Sequence, residues 1–133
     1  MNVLGSEQTL ITVIMTRQID LINISETITS FEGVTNADML PLGRRSEVLS
    51  VLSKNCPDWK FPVHPTHPDR GGVVSEQCHL EFYIPDDEPI LMLGLDVYTG
   101  DDAVVMGVIR SICQATGWRA FDPAEEELID FAN

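Results

Sequence analysis

A chain of 133 residues carrying a formal net charge of −13 has the length of one domain, and its 44 % hydrophobic content is enough for a core. That composition excludes disorder as the explanation of the acidity. The negative field repels phosphate backbones and anionic lipid, so nucleic acid and membrane surfaces are not the expected partners.

In chain order, the β-branched run Thr9 to Met15 predicts a first strand. Ile19 to Ile28 is also rich in β-branched residues, but its periodicity fits no single element. Residues Gly33 to Leu42 form a connection ending in Pro41-Leu42-Gly43. A helix is expected over Arg44 to Asn55, with Val48, Leu49 and Leu52 on one face and Pro57 beyond its end. Residues 56–72 carry Pro57, Pro62, Pro65 and Pro68 before Gly71-Gly72 and predict a long loop. Long loops in small domains are often functional.

Gln77 to Ile84 alternates. Cys78, Leu80, Phe82 and Ile84 take one face, and Gln77, His79, Glu81 and Tyr83 take the other. After the acidic turn Pro85 to Pro89, a strand over Ile90 to Tyr98 should direct Leu91, Leu93, Leu95 and Val97 to the core, closing a hairpin. Asp101 or Asp102 can cap the next helix, whose stripe is Val104, Val105, Val108, Ile109, Ile112 and Cys113, with Gly117 as its stop. Short strands follow over Trp118 to Phe121 and Glu127 to Phe131, separated by the Asp122-Pro123 turn. The second half therefore runs β-β-α-β-β. The expected fold class is a single α+β domain, 1–133, mainly an antiparallel sheet with helices packed on one face.

The charge is uneven. Residues 1–60 hold seven acidic and five basic side chains, whereas residues 61–133 hold fourteen acidic and three basic. Cys56, Cys78 and Cys113 are an odd set without a CxxC spacing, which fits reduced thiols in a cytoplasmic protein. Leu10 to Met15 is too short for a signal peptide and lacks a basic segment before it, and nothing approaches a transmembrane span in length.

His64-Pro-Thr-His67-Pro-Asp69, with His79 further on, raises a metal-dependent enzyme as one alternative. The HxxH spacing alone supplies only two ligands, and the interleaved prolines work against a shared ion, so no metal or other cofactor is expected. His67-Pro68-Asp69 also looks like the loop of J-domain co-chaperones. The long basic helix that must precede such a loop is missing, which excludes that identity. No G-x-S-x-G elbow or Cys/His frame supports nucleophilic catalysis. Cys78 and His79 are strand neighbours and point to opposite faces. Asp86-Asp87-Glu88 and Glu125-Glu126-Glu127 read as exposed turns. What remains is the sheet face opposite the core, where His79, Glu81, Tyr83, Met92, Asp96 and Tyr98 should stand, with Asp86, Asp87 and Glu88 at the rim. Two tyrosines and a methionine ringed by carboxylates suit a basic protein partner. The competing expectation is that the N-terminal segment covers this face.

The succession Pro41-Leu42-Gly43, the Val48-Leu49 helix, Leu93-Gly-Leu-Asp-Val97, the capped helix, Ala115-Thr-Gly-Trp118-Arg-Ala-Phe-Asp122 and Leu128-Ile-Asp130 resembles small acidic bacterial immunity proteins. These belong to polymorphic toxin systems, delivered by contact or by type VI secretion. The resemblance runs from about Met39 onward and rests on structural motifs. It implies a non-enzymatic cytoplasmic inhibitor that occludes the active site of a cognate toxin effector. The alternative from another class is a small enzyme built on His64, His67 and Asp69.

Overall fold

The computed structural model describes residues 17–131, so the strand expected over Thr9 to Met15 lies outside the described residues. Within them the chain forms β1 (Arg17–Ile22), α1 (Arg45–Asn55), β2 (Trp59–Lys60), β3 (Arg70–Val74) and β4 (Cys78–Tyr83). There follow β5 (Met92–Gly100), α2 (Asp102–Thr116), β6 (Arg119–Asp122) and β7 (Glu127–Leu128). One turn of 3-10 helix at Asn36–Asp38 interrupts the connection after β1. The seven strands make one sheet in the order β2-β3-β4-β5-β1-β6-β7, and every neighbouring pair is antiparallel. The architecture is α+β, and from β4 onward the chain runs β-β-α-β-β as its alternation and periodicity require.

The core lies between the sheet and the two helices. Ile19 and Leu21 of β1, Leu80 and Phe82 of β4, Leu93 and Leu95 of β5 and Ala120 of β6 are all buried on one face. Val105, Val108, Ile109 and Ile112 of α2 and Val48 and Leu52 of α1 close over them. Each fully buried aliphatic side chain of this kind contributes about 1.5–3 kcal/mol, so the α2 stripe is a principal holder of the fold. Asp101 caps α2 by accepting the Ala103 N–H at 2.8 Å, and Gly117, at φ 82°, ends it in the left-handed conformation with its N–H on the Cys113 carbonyl. At the start of α1, the Glu47 carboxylate accepts the Arg44 N–H at 2.8 Å and the Glu88 carboxylate accepts the Arg45 N–H at 2.6 Å. Both anions sit at the positive end of the helix dipole.

Three expectations are corrected. Arg17–Ile22, which overlaps the start of the stretch of undecided periodicity, Ile19 to Ile28, is a central strand; it is buried over its last four residues because β5 and β6 flank it. Leu91 does not face the core but is 50 % exposed. Regular pairing of β5 begins only at Met92, while Ile90 is bridged to Gly43 and buried instead, so the alternation breaks between them. The supposed loop over residues 56–72 holds β2 and the first part of β3. Its four prolines all fall outside those strands, and the two glycines fall inside β3 for a packing reason. A side chain at Gly71 would collide with the Trp59 indole, which lies against it, and a Cβ at Gly72 would come within 2.6 Å of the Leu80 carbonyl oxygen.

The sheet face away from the helices is covered at both ends by connections. At one end the loop before β3 folds back, with the Val63 N–H on the Arg70 carbonyl at 2.9 Å. At the other, Phe31 stacks on Phe121 with ring centroids 4.0 Å apart, and Arg119 donates to the carbonyls of Ser25 and Ile28. Between these lies a strip of β4 and β5.

Candidate functional site

Strand alternation places His79, Glu81 and Tyr83 of β4 on this strip, with Gly94, Asp96 and Tyr98 of β5 and Arg70 and Gly72 of β3 beside them. The register sets Glu81 between Gly72 and Asp96, and Tyr83 between Arg70 and Gly94. A register shift at His79/Leu80 leaves Tyr98 as the extra residue of β5 and brings its ring to 4.9 Å from that of His79.

Glu81 is the hub. It is 3 % exposed, which corrects the expectation that it stands open on the partner surface. It faces the expected side but is roofed by its own partners. Arg70 Nε donates to Oε1 at 2.9 Å, while His64 Nε2 and His79 Nε2 meet the same Oε2 at 2.9 and 2.7 Å. Burial alone would raise the Glu81 pKa. The hydrogen bonds from His64, His79 and Arg70 outweigh burial and hold it below the usual carboxylate range. An ionised oxygen can only accept, so both Nε2 atoms carry hydrogen, and Nδ1 is the acceptor of either ring in its neutral form. Arg70 Nη2 also reaches Asp96 at 3.0 Å and the Tyr98 hydroxyl at 3.3 Å. Burial pulls the guanidinium pKa down, but the Asp96 and Glu81 carboxylates more than reverse this.

Above the hub is an open hollow of about 580 Å³ lined by His64, His67, Asp69, Arg70, His79, Glu81, Tyr83 and Tyr98. Its two expected tyrosines are accessible, Tyr83 at 47 % and Tyr98 at 41 %; the N-terminal strand expected to compete for this face lies outside the described residues. Met92, further along the strip, is 47 % exposed.

Of the residues expected to bind a partner, His79, Glu81, Tyr83, Asp96 and Tyr98 therefore come together. Asp86, Asp87 and Glu88 do not join them. Their turn leans toward the helical side, where Glu88 holds the start of α1 and Asp86 lies 3.6 Å from Arg45 Nε. All three are exposed, as a rim requires. His64, His67 and Asp69, assigned by sequence to the rival enzyme, line the same hollow as the partner residues. His64 and His67 close a tight turn, rings 5.8 Å apart and edge to face, but only His64 turns inward to Glu81. Among the described residues no group of three or more His, Cys, Asp or Glu is arranged to hold a metal ion. Arg70 was missed. The signal for it was its isolation as one of three basic residues in the acidic half, directly before Gly71-Gly72.

Asp20 of β1 continues the acidic strip across Gly94. It is 7 % exposed, and the one hydrogen bond its carboxylate makes among the described residues is a 3.3 Å contact from Gln18. Burial chiefly raises its pKa, against the Gln18 bond and with help from the Asp96 charge. No helix among the described residues is long and apolar enough to cross a membrane. No protein-family model, no curated protein and no solved structure matches the chain.

Proposed function

We propose that this chain is an immunity-type inhibitor, a non-enzymatic cytoplasmic protein that binds a basic toxin effector and occludes its active site. The observation that carries it is the strip of β4 and β5, where Tyr83, Met92 and Tyr98 are exposed beside a hollow lined by Asp69 and Glu81. Aromatic and methionine side chains in a patch, with charge around them, are the composition of protein interfaces. A net charge of −13 supplies electrostatic steering toward a basic partner. The resemblance to immunity proteins supports the same function. The test is to isolate the chain with its partner from the native cell and titrate it against the partner's activity. Full inhibition at one equivalent is expected; undiminished activity at excess would sink the proposal.

A second reading is favoured by one specific observation, the convergence of two imidazoles on one buried carboxylate oxygen. Perturbed acid–base groups in a hollow mark active sites as well as binding sites. The lining contains no serine, threonine or cysteine, so a covalent step in such an enzyme would fall to a carboxylate, an imidazole or a phenol. About one zinc per purified chain, lost on His64→Ala, would support it. Metal-free protein that still inhibits its partner would remove the metal-dependent form.

A further inference from the structure

We infer that the hollow above Glu81 is a socket for an arginine side chain of the partner protein. The inference deepens the inhibitor proposal and rests on it for the identity of the partner, though not for the chemistry of the socket.

Three features of the hollow select a cation. The first is charge. Asp69 and Glu81 line the hollow and Asp96 pairs with Arg70, so three carboxylates are set against the single guanidinium of Arg70. Arg70 is already engaged by Glu81, Asp96 and Tyr98, which leaves it little to offer a phosphate or carboxylate ligand. The second is the balance of donors and acceptors. His64 and His79 spend their Nε2 hydrogens on Glu81, so Nδ1 is the atom by which either ring, in its neutral form, can accept. The Asp69 carboxylate has no hydrogen-bond partner among the described residues, although its backbone carbonyl anchors Ile84. A hollow of spare acceptors matches a ligand made of donors, and arginine presents five in one plane.

The third feature is the aromatic frame. Tyr83 stands at one end of the strip, and Tyr98 with His79 at the other, with the carboxylates between them. A guanidinium gains both from carboxylates beside it and from an aromatic face within about 6 Å, more so than an ammonium. The groups lining the socket come from four segments: His64 and His67 of the loop before β3, Asp69 and Arg70 at the start of β3, His79, Glu81 and Tyr83 of β4, and Tyr98 of β5, with Asp96 holding Arg70 at 3.0 Å. Glu81 and Arg70 form its floor rather than its free contacts, because they already hold each other.

The experiment first uses a probe that needs no partner. N-acetyl-arginine methylamide is titrated into isotope-labelled full chain and followed by NMR, with the glutamate analogue as control. Shifts confined to His64, Asp69, His79, Tyr83 and Tyr98, saturating in the millimolar range for the arginine probe alone, are expected. Asp69→Asn touches none of the hydrogen bonds of the Glu81 hub, so it should leave the melting temperature unchanged and weaken the probe several-fold. Absence of shifts, equal shifts with the glutamate probe, or full affinity in a folded Asp69→Asn chain would overturn the socket. The second arm uses the complex: Asp69→Asn should weaken the captured partner about tenfold or more. Partner binding that depends on Tyr83 but ignores Asp69 overturns the socket and leaves the inhibitor standing. Arginine binding in the hollow with no partner captured does the reverse.

Discussion

Replacing Glu81 with glutamine tests the hub with almost no change of volume. The wild-type carboxylate accepts from Arg70 Nε at 2.9 Å and from two imidazoles at 2.9 and 2.7 Å. A glutamine can set its carbonyl toward Arg70, which leaves its NH₂ facing two N–H groups, or toward the histidines, which leaves NH₂ against the guanidinium. Either way donors oppose donors. Each hydrogen bond to a charged group is worth about 1.5–3 kcal/mol. The loss is less than three such bonds, since one survives, an imidazole can change tautomer, and the His64, His79 and Arg70 side chains are 42, 32 and 23 % exposed and can regain water. We expect a cost of about 2–4 kcal/mol, a fall in melting temperature of roughly 10 °C for a domain of this size. The pH dependence has a definite sign. A carboxyl whose pKa is depressed on folding stabilises the fold above its unfolded pKa, and that contribution is lost as pH falls through the folded value. The gap between wild type and Glu81→Gln should therefore be full at neutral pH and close only below the usual carboxylate range. Thermal and urea unfolding followed by circular dichroism from neutral to strongly acidic pH measures both. A variant with the parental melting temperature across that range would refute the hub.

Asp20→Asn should act in the opposite direction. Burial raises the Asp20 pKa on folding, so its ionised form costs stability at neutral pH; the variant should melt a few degrees higher at pH 7, and the gain should vanish once the acid is protonated in both states. Ile109→Asp places an unpaired carboxylate at a fully buried position in the α2 stripe and should cost about 4 kcal/mol or more, so a folded variant with unchanged melting temperature contradicts the core assignment. In the acidic turn, Asp86→Asn with Asp87→Asn should slow partner association at low salt and matter little near 1 M, where the Debye length is about 3 Å. Glu88→Gln should instead lower the melting temperature by removing a charged acceptor from the start of α1, a loss of about 1 kcal/mol. An equal effect of all three on association alone would contradict that division.

Periodicity carried most of the fold. The α2 stripe, the alternation of β4 and the caps Asp101 and Gly117 were legible because each is a local pattern with one physical solution. Gly71 and Gly72 were not, since a glycine that makes room for Trp59 and for the Leu80 carbonyl reads like a loop glycine until the neighbours are known. Pro62, Pro65 and Pro68 concealed β2 and β3 for the same reason, being placed between the strands rather than within them. The site was half legible. Alternation placed His79, Glu81 and Tyr83 on one face, but the union of His64 with Glu81, seventeen residues apart, depends on how the loop folds back. The hold of Glu88 on the start of α1 was not legible, because its partner is a backbone N–H, which no side-chain pattern announces.

The claim that the strip of β4 and β5 is the binding face is tested most directly by two truncations, Tyr83→Ala and Tyr98→Ala. Dissociation rate from the captured partner and melting temperature are measured on the same preparations. Both rings are more than 40 % exposed, so their loss should leave the melting temperature within about 2 °C of wild type. Dissociation should accelerate roughly thirtyfold for whichever ring is a hot spot, the equivalent of about 2 kcal/mol. Variants that melt lower yet release the partner at the parental rate would contradict the assignment and place the interface elsewhere on the molecule.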